Sequence, residues 1–169
     1  MKFFEIEQKY RLADPKPVRA ILKKLGAKKI SSGAESNEFF DKDHFLKKQK
    51  IALRLRRSAG KKATLTLKGP RLASKFTKRM EIETPVDYRA TKSLLRFLGF
   101  KVHRQYTKNR ESYKLGRAMV TVDYLEKFGW FLEIEAQPRE IARLAKEIGL
   151  RQKDREGKSY LQMLFNWKH

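Results

Sequence analysis

The chain has 169 residues, of which 41 are Lys or Arg and 19 are Asp or Glu, so its formal net charge is +22. Apolar residues make up 40 %, enough for the core of one domain, and no apolar run is long enough to cross a membrane. The absence of cysteine excludes disulfides, thiolate metal sites and a cysteine nucleophile. The segment Met1–Glu5 lacks the apolar centre of a signal peptide, so we expect a cytoplasmic protein with no membrane partner.

Alternation and spacing predict eight strands and about four helices in a single domain spanning residues 1–169. The predicted strands are Phe3–Tyr10, Glu35–Asp41, Ile51–Arg57, Ala63–Lys68, Thr77–Thr84, Lys101–Tyr113, Arg117–Tyr124 and Trp130–Ala136. The predicted helices start at the Asp14 cap, at Asp87, at Pro138 and at Ser159, and residues 43–50 read as a polar connection. Strands that follow one another as hairpins favour an antiparallel sheet. Eight such strands can close into a barrel that holds one small ligand.

The opening strand carries two carboxylates and an ammonium on one face. Glu5, Glu7 and Lys9 occupy alternate positions, so they point the same way, and Phe4, Ile6 and Tyr10 fall on the other face. Neighbouring carboxylates repel unless a cation holds them, and hard divalent cations prefer carboxylate oxygens. Taken alone, this stretch is also explained as a solvated surface face.

The same alternation recurs along the other predicted strands. The acids on the polar faces are Glu5, Glu7, Glu81, Glu83, Asp123, Glu133 and Glu135, and the bases are Lys9, Arg54, Arg56, Lys68, Arg79, Lys108 and Arg110. The opposite faces are apolar, so helices would cover the outside of a barrel whose inside is charged. Buried charges must be paired or ligated. Arg and Lys suit phosphate, and the acids become useful with Mg²⁺ or Mn²⁺ between them and the phosphate oxygens. The alternative to a charged barrel is an open sheet, in which these charged residues form solvated cross-strand pairs on one exposed face.

These motifs resemble the CYTH superfamily, the triphosphate tunnel metalloenzymes. The matching residues are Glu5-Ile6-Glu7-Gln8-Lys9 for the ExExK signature, Arg54 and Arg56, Lys68 before Gly69-Pro70, Arg79 with Glu81 and Glu83, Lys108 with Arg110, Asp123, Glu133 with Glu135, and Ser159-Tyr160. The resemblance covers nearly the whole chain. It implies an α+β fold, an eight-stranded antiparallel β-barrel with flanking α-helices that forms a triphosphate tunnel.

The resemblance also implies roles for these residues. One or two Mg²⁺ or Mn²⁺ ions would be held by Glu5, Glu7, Asp123, Glu133 and Glu135. The triphosphate would be bound by Lys9, Arg54, Arg56, Lys68, Arg79, Lys108 and Arg110. Glu5, Glu7, Lys9 and Lys68 would be catalytic, and Glu81 and Glu83 would support them.

Three functions remain open. The family implies a metal-dependent triphosphatase acting on tripolyphosphate, ATP or thiamine triphosphate, or a class IV adenylyl cyclase making 3′,5′-cyclic AMP. The chain lacks the His-Phe pair that precedes the first Glu in such cyclases, and Phe39 stands where the family often has Tyr. The third option is a non-catalytic module that binds polyphosphate or RNA, for which the charge of +22 would be sufficient by itself. We expect a monomer or a homodimer.

Overall fold

The computed structural model describes residues 4–58, 60 and 62–165, which form nine strands and five α-helices. The strands are β1 Phe4–Leu12, β2 Lys28–Asp41, β3 Ala52–Ser58, β4 Ala63–Leu72, β5 Thr77–Val86, β6 Lys101–Leu115, β7 Ala118–Leu125, β8 Gly129–Glu135 and β9 Arg155–Glu156. The helices are α1 Lys16–Lys24, α2 Phe45–Lys48, α3 Tyr88–Phe97, α4 Pro138–Ile148 and α5 Tyr160–Phe165. Within these ranges, no helix is long and apolar enough to span a membrane.

Eight of the strands close into an antiparallel barrel. Their order is β5-β4-β3-β2-β6-β7-β8-β1, and β1 also pairs with β5, which completes the ring. The first half of β1 pairs with β5, and the second half pairs with the two-residue strand β9. The predicted eight-stranded antiparallel barrel with flanking helices is therefore confirmed, with β9 as an addition.

The alternation of each strand puts apolar side chains outside the barrel, where helices cover most of them. α1 and α4 pack over β7 and β8, and the core between them contains Leu22, Val120, Val122, Leu132, Ile134, Ile141 and Leu144, all fully buried. A second cluster lies under α3 and contains Phe40, Leu55, Ala63 and Leu95. None of the described helices covers the outer face of β5, where Met80 and Ile82 are 36 % and 38 % exposed. The helices therefore cover the apolar face only in part.

Three local predictions need correction. The second strand begins at Lys28 rather than Glu35, because pairing with β6 continues through a Ser- and Gly-containing stretch with no apolar alternation. The connection after Asp41 contains α2, whose backbone N–H groups at Leu46 and Lys47 donate to the Asp41 carboxylate at 2.9 and 3.1 Å. The N-cap of α1 is Pro15, so Asp14 lies one position too early, although it accepts a hydrogen bond from the Lys16 N–H.

Candidate active site in the barrel lumen

The barrel encloses two chambers that share one ring of charged side chains. This ring, the girdle, is formed by Arg56, Glu83, Arg110 and Glu135. An inner chamber of about 170 Å³ lies on one side and an outer chamber of about 320 Å³ on the other. All the residues predicted for the site line the inner chamber except Lys108 and Asp123, which are buried, with Asp123 accepting hydrogen bonds from both Lys108 and Arg110. The fold thus brings the predicted set together.

Glu5 is held as a carboxylate by two cations. Lys68 Nζ lies 2.8 Å from Glu5 Oε2, and Arg79 Nε lies 3.3 Å from the same oxygen. Burial opposes the charged form, but Lys68 and Arg79 outweigh it and hold the pKa of Glu5 well below its ordinary value. Lys68 also contacts Glu81 at 2.6 Å, so one ammonium links β1 to β5.

Glu7 has the opposite environment, although it lies two residues along the same strand face. Burial, together with the charges of Glu5 and Glu133, raises its pKa to about 7. Glu135 is its direct partner on β8 in the register of the sheet. Arg79 approaches Glu7 only to 3.6 Å. A carboxylate crowded by other carboxylates is one that gains from a nearby cation.

Asp123 anchors two of the predicted phosphate-binding bases. It is fully buried and accepts hydrogen bonds from Lys108 Nζ at 2.9 Å and from Arg110 Nε and Nη2, both at 2.6 Å. The Tyr160 hydroxyl donates a further bond at 2.7 Å. Burial opposes its charged form, but Arg110 and Lys108 outweigh burial and lower the pKa of Asp123. Its oxygens are therefore occupied by protein donors.

Glu133 on β8 is the acid that connects this cluster to β1. Arg110 Nη2 donates to Glu133, and Lys9 Nζ lies 3.4 Å from its other oxygen. Burial acts against the charged form, but Lys9 and Arg110 prevail and lower the pKa of Glu133. Lys9 also donates to the backbone oxygen of Lys158 at 3.1 Å, just before α5.

Arg54 is the base whose donors are least satisfied. Its Nη2 donates to Thr66 at 3.2 Å and to Glu83 at 3.5 Å, whereas its buried Nε has no hydrogen-bond partner among the described residues. Burial and the neighbouring Arg56 lower the pKa of Arg54. A buried guanidinium donor without an acceptor is costly, so this position favours an anion in the lumen.

The structure adds lumen residues that the sequence did not predict. Glu35 Oε1 lies 3.5 Å from both Lys108 and Arg56, and Asn37 on the same strand face accepts a weak bond from Arg56. Both residues sit at alternate positions of β2, as Glu5 and Glu7 do on β1. Their alternate positions on a predicted strand are the sequence signal that identifies them.

The inner chamber is closed at one end by α5. Tyr160 and Leu161 from this helix line the chamber together with Phe39 and Tyr106. The Phe39 and Tyr106 rings stack at 5.8 Å between centroids, and Tyr160 meets Tyr106 edge-on at 6.0 Å. Lys9 Nζ lies 3.7 Å above the Tyr160 ring. These rings pack on one another, so they leave no slot between them.

The outer chamber is lined by small and hydroxyl-bearing residues, by Ile30 and Met119, and by charged side chains that include the girdle. Six hydroxyls contribute to its wall: Ser31, Ser32, Ser58, Thr64, Ser112 and Thr121. Among the described residues, no aromatic side chain lines it. The hydroxyls of Thr64 and Thr121 are buried and have no hydrogen-bond partner in the part of the chain that the structure describes. This end of the lumen suits water or a polar group.

A family model described as "CYTH domain" matches residues 4–160. The chain belongs to the CYTH domain family. The charged lumen is therefore the lumen of a CYTH barrel, and the resemblance on which the predicted site was based is confirmed.

The relatives of this CYTH protein include several that are named putative adenylate cyclases. "Putative adenylate cyclase MJ0240" of Methanocaldococcus jannaschii is 33 % identical over 133 residues, or 78 % of this chain and 75 % of that protein. A "putative adenylate cyclase" from Vibrio parahaemolyticus has a TM-score of 0.86 at 25 % identity, over 97 % of this chain and 99 % of that one. "Putative adenylyl cyclase HpAC1" from Hippeastrum has a TM-score of 0.74 at 22 % identity, over 98 % and 97 %, which shows the fold alone.

The lumen carboxylates fit a hard divalent cation by their chemistry. Glu5 and Glu7 on β1 and Glu133 and Glu135 on the adjacent β8 face the same chamber. Among the described residues, no three acids or imidazoles lie together as a formed metal site. The repulsion at Glu7 is the feature that a divalent cation would relieve, and carboxylate oxygens are the ligands that Mg²⁺ prefers.

Proposed function

We propose that this CYTH protein is a divalent-metal-dependent triphosphatase that binds tripolyphosphate or a nucleoside or organic triphosphate inside its barrel. The observation that carries the proposal is one chamber lined by six bases and six acids, in which the buried Nε of Arg54 has no acceptor among the described residues. A polyanion supplies acceptors for the bases. The acids, which would repel a phosphate alone, suit the Mg²⁺ or Mn²⁺ that accompanies it.

The bases would bind the triphosphate from different walls of the chamber. Arg54 and Arg56 on β3 would bind phosphate oxygens on one wall, and Arg79 and Lys68 on the next strands would bind them on the other. Lys108 and Arg110 would act from the side of β6, kept in place by Asp123. Cations fixed in the chamber would neutralise the charge that develops during phosphoryl transfer.

The acids are proposed to hold the ion that binds with the substrate. Glu5, Glu7, Glu133 and Glu135 would be its ligands, and the ion would neutralise phosphate charge and assist attack at phosphorus. For Asp123, the four donors on its carboxylate favour a role in orienting Lys108, Arg110 and Tyr160 over the predicted role of metal ligand. Glu81 and Glu83 would orient Lys68 and Arg54, which they contact.

Hydrolysis is favoured over cyclisation because no aromatic ring is free to stack on a base among the described residues of the lumen. A cyclase must align the ribose 3′ hydroxyl with the α-phosphate, which requires contacts that fix the nucleoside. The aromatic rings of the inner chamber pack on one another, and the described lining of the outer chamber contains no aromatic side chain. The names of the relatives favour cyclisation of ATP as the second candidate. These names do not decide between cyclisation and hydrolysis, because the Hippeastrum protein is named a cyclase and is described as having a dominant triphosphatase activity.

Resolving the products made from ATP, tripolyphosphate and thiamine triphosphate with Mg²⁺ or Mn²⁺ tests the proposal. We expect orthophosphate with ADP from ATP, comparable turnover of tripolyphosphate, and loss of both in EDTA. Pyrophosphate and 3′,5′-cyclic AMP as the main products would establish the cyclase instead. No product from any triphosphate, with salt-sensitive binding of RNA or polyphosphate, would identify a binding module.

A further inference from the structure

Helix α3 carries an exposed apolar stripe beside the side chain that it buries. Leu95 faces the barrel and is buried in the cluster with Phe40 and Leu55. Next to it on the helix surface, three residues that we call the α3 stripe face solvent: Leu94 is 63 % exposed, Phe97 92 % and Leu98 58 %. Their spacing of three and four residues makes them neighbours on the helix surface. The apolar surface of α3 is therefore wider than the part that packs on the barrel, and the stripe is left uncovered by the described chain.

Bases outnumber acids around the stripe, although the exposed Asp87 caps α3 and Glu38 pairs with Lys92 on this helix. The sequence from Tyr88 to Arg110 contains no Asp or Glu. Arg89 and Arg96 on α3 and Lys101 after it are exposed, and none forms an ion pair with a carboxylate of the described residues. Cations without acidic partners around an apolar centre are complementary to an anionic surface with an apolar interior.

The basic surface continues into the turn before α2. Lys42 Nζ donates to the backbone oxygen of Leu98 at 3.3 Å, which ties this turn to the end of α3. Phe45, which begins α2, is 60 % exposed, and Lys48 and Lys50 follow it on the surface. The exposed Asp43 is the acid in this turn. The patch thus extends across two elements.

The charge of the lumen does not account for the excess of bases in the chain. The lumen contains seven bases and eight acids once Glu35 is included, so it is nearly neutral. The rest of the chain therefore contains 34 of the 41 Lys and Arg but only 11 of the 19 Asp and Glu. A substrate bound in the lumen leaves this excess unexplained.

We propose that the α3 stripe and its flanking cations bind the surface of an anionic phospholipid bilayer. Leu94, Phe97 and Leu98 would enter the boundary between headgroups and acyl chains, and the cations would contact the anionic headgroups. A second copy of this chain is disfavoured because it would bring the same cations together. A nucleic acid would use the cations and leave the aliphatic side chains of the stripe uncovered. The predicted absence of a membrane partner was based on spanning segments, which a peripheral face does not need.

Flotation of the full chain with vesicles tests the proposal. Vesicles of phosphatidylcholine would be compared with vesicles that also contain about 30 mol % phosphatidylserine, a PS-rich surface. We expect binding to the anionic vesicles and little to the neutral ones. The double variant Leu94→Gln with Phe97→Gln should lower the binding constant roughly tenfold or more, because two apolar side chains no longer insert. Gln retains helix propensity, and melting temperatures would verify that the variants fold.

Two matched controls separate this face from general basicity. Leu72→Gln removes an apolar residue that is 46 % exposed on β4, and it should leave vesicle binding unchanged. Arg96→Gln with Lys101→Gln should weaken binding more than Arg139→Gln with Lys146→Gln, which removes the same charge from α4. Phosphatase activity should be unaffected in all four variants.

The outcomes are distinguishable. Equal binding of the stripe variant and the parent chain would overturn the proposal and leave only the +22 charge as the cause. A concentration-dependent dimer that Phe97→Gln abolishes, with no vesicle binding, would make the stripe an interface between copies. Tight RNA binding that is lost in the stripe variant, with no vesicle binding, would assign the face to nucleic acid.

Discussion

Glu5 and Glu7 show how two identical residues on one strand face acquire different properties. Lys68 and Arg79 surround Glu5 and favour its charged form. Glu7 lies closer to other acids, and burial with Glu5 and Glu133 raises its pKa to about 7. The folded metal-free protein therefore stabilises one charge and opposes the other, which distinguishes the two residues in an experiment on stability.

In the metal-free protein, Glu7→Gln should raise stability above pH 7 and change it little below pH 5. Between its ordinary pKa and about 7, folded Glu7 keeps a proton that the unfolded chain releases. The stability of the parent chain therefore falls as pH rises through this window. The rise in the pKa of Glu7 to about 7 corresponds to a loss of at most ~3 kcal/mol from the free energy of unfolding of the parent chain. Urea unfolding of the variant and the parent chain in EDTA at several pH values measures this difference.

Glu5→Gln is the matched control for Glu7→Gln. It removes the carboxylate that Lys68 and Arg79 share, so it should destabilise the same metal-free protein by about 1–3 kcal/mol above pH 5. Both variants should lose triphosphatase activity with Mg²⁺ or Mn²⁺. Equal effects of the two changes on stability would contradict the difference in environment.

Asp123→Asn should destabilise the metal-free protein by about 3 kcal/mol or more. The reason is that Lys108 and Arg110 would remain buried with much less opposing charge. A residue that served only as a metal ligand would give the reverse result, with unchanged or higher stability in EDTA. Chemical denaturation with the metal removed distinguishes the two roles.

At the scale of elements, α5 links the end of the barrel to the charged site. This six-residue helix is too short to be stable alone, and its position depends on tertiary contacts. Tyr160 packs edge-on against Phe131 at 5.5 Å, and its hydroxyl donates to Asp123. Closure of the lumen is thus coupled to the side chain that orients Lys108 and Arg110.

Tyr160→Phe should lower the free energy of unfolding by about 1.5–3 kcal/mol, the range for a hydrogen bond to a charged group. The ring and its contact with Lys9 remain, so packing is preserved. Tyr124→Phe, on the outer face of β7 beside Asp123, removes a hydroxyl from a residue that is 37 % exposed. This control should change stability little. If both variants unfold at the same denaturant concentration, the Tyr160 hydroxyl contributes nothing to the closure.

At the scale of the whole molecule, the barrel separates two distributions of charge. Acids and bases nearly balance inside the lumen, whereas the rest of the chain carries the excess of positive charge. Cations inside the lumen are costly without an anion: burial, together with the charge of Arg56, lowers the pKa of Arg54. A bound polyanion with its metal should therefore stabilise the whole fold.

Tripolyphosphate with Mg²⁺ should raise the melting temperature. At a ligand concentration a hundredfold above Kd, binding stabilises the folded state by about 2.7 kcal/mol.

Arg54→Ala should weaken binding of tripolyphosphate by about 1.5–3 kcal/mol in calorimetry, because a buried cationic donor is lost. Arg143→Ala, on the exposed surface of α4, should leave the affinity unchanged. Unaltered affinity in Arg54→Ala, with marked loss of stability, would make Arg54 a structural residue.

The sequence by itself determined the barrel and most of the charged residues of its lumen. Alternation has a period of two in a strand, so Glu5, Glu7 and Lys9 had to share one face whatever the rest of the fold was. The same local rule places the other predicted acids and bases on strand faces opposite apolar ones. It located every strand of the barrel but missed the early residues of β2, where small polar residues give no alternation, and the end of β4, which continues past Gly69-Pro70 to Leu72.

Only the tertiary structure decided how these side chains pair. The opposite environments of Glu5 and Glu7 depend on which bases β5 and β4 bring near, and the role of Asp123 depends on Tyr160, 37 residues further along the chain. The stacking of Phe39 on Tyr106 and the exposure of the α3 stripe likewise depend on contacts between distant segments. Local periodicity fixes the face on which a side chain lies, but distances and burial across the barrel fix its charge state and its partner.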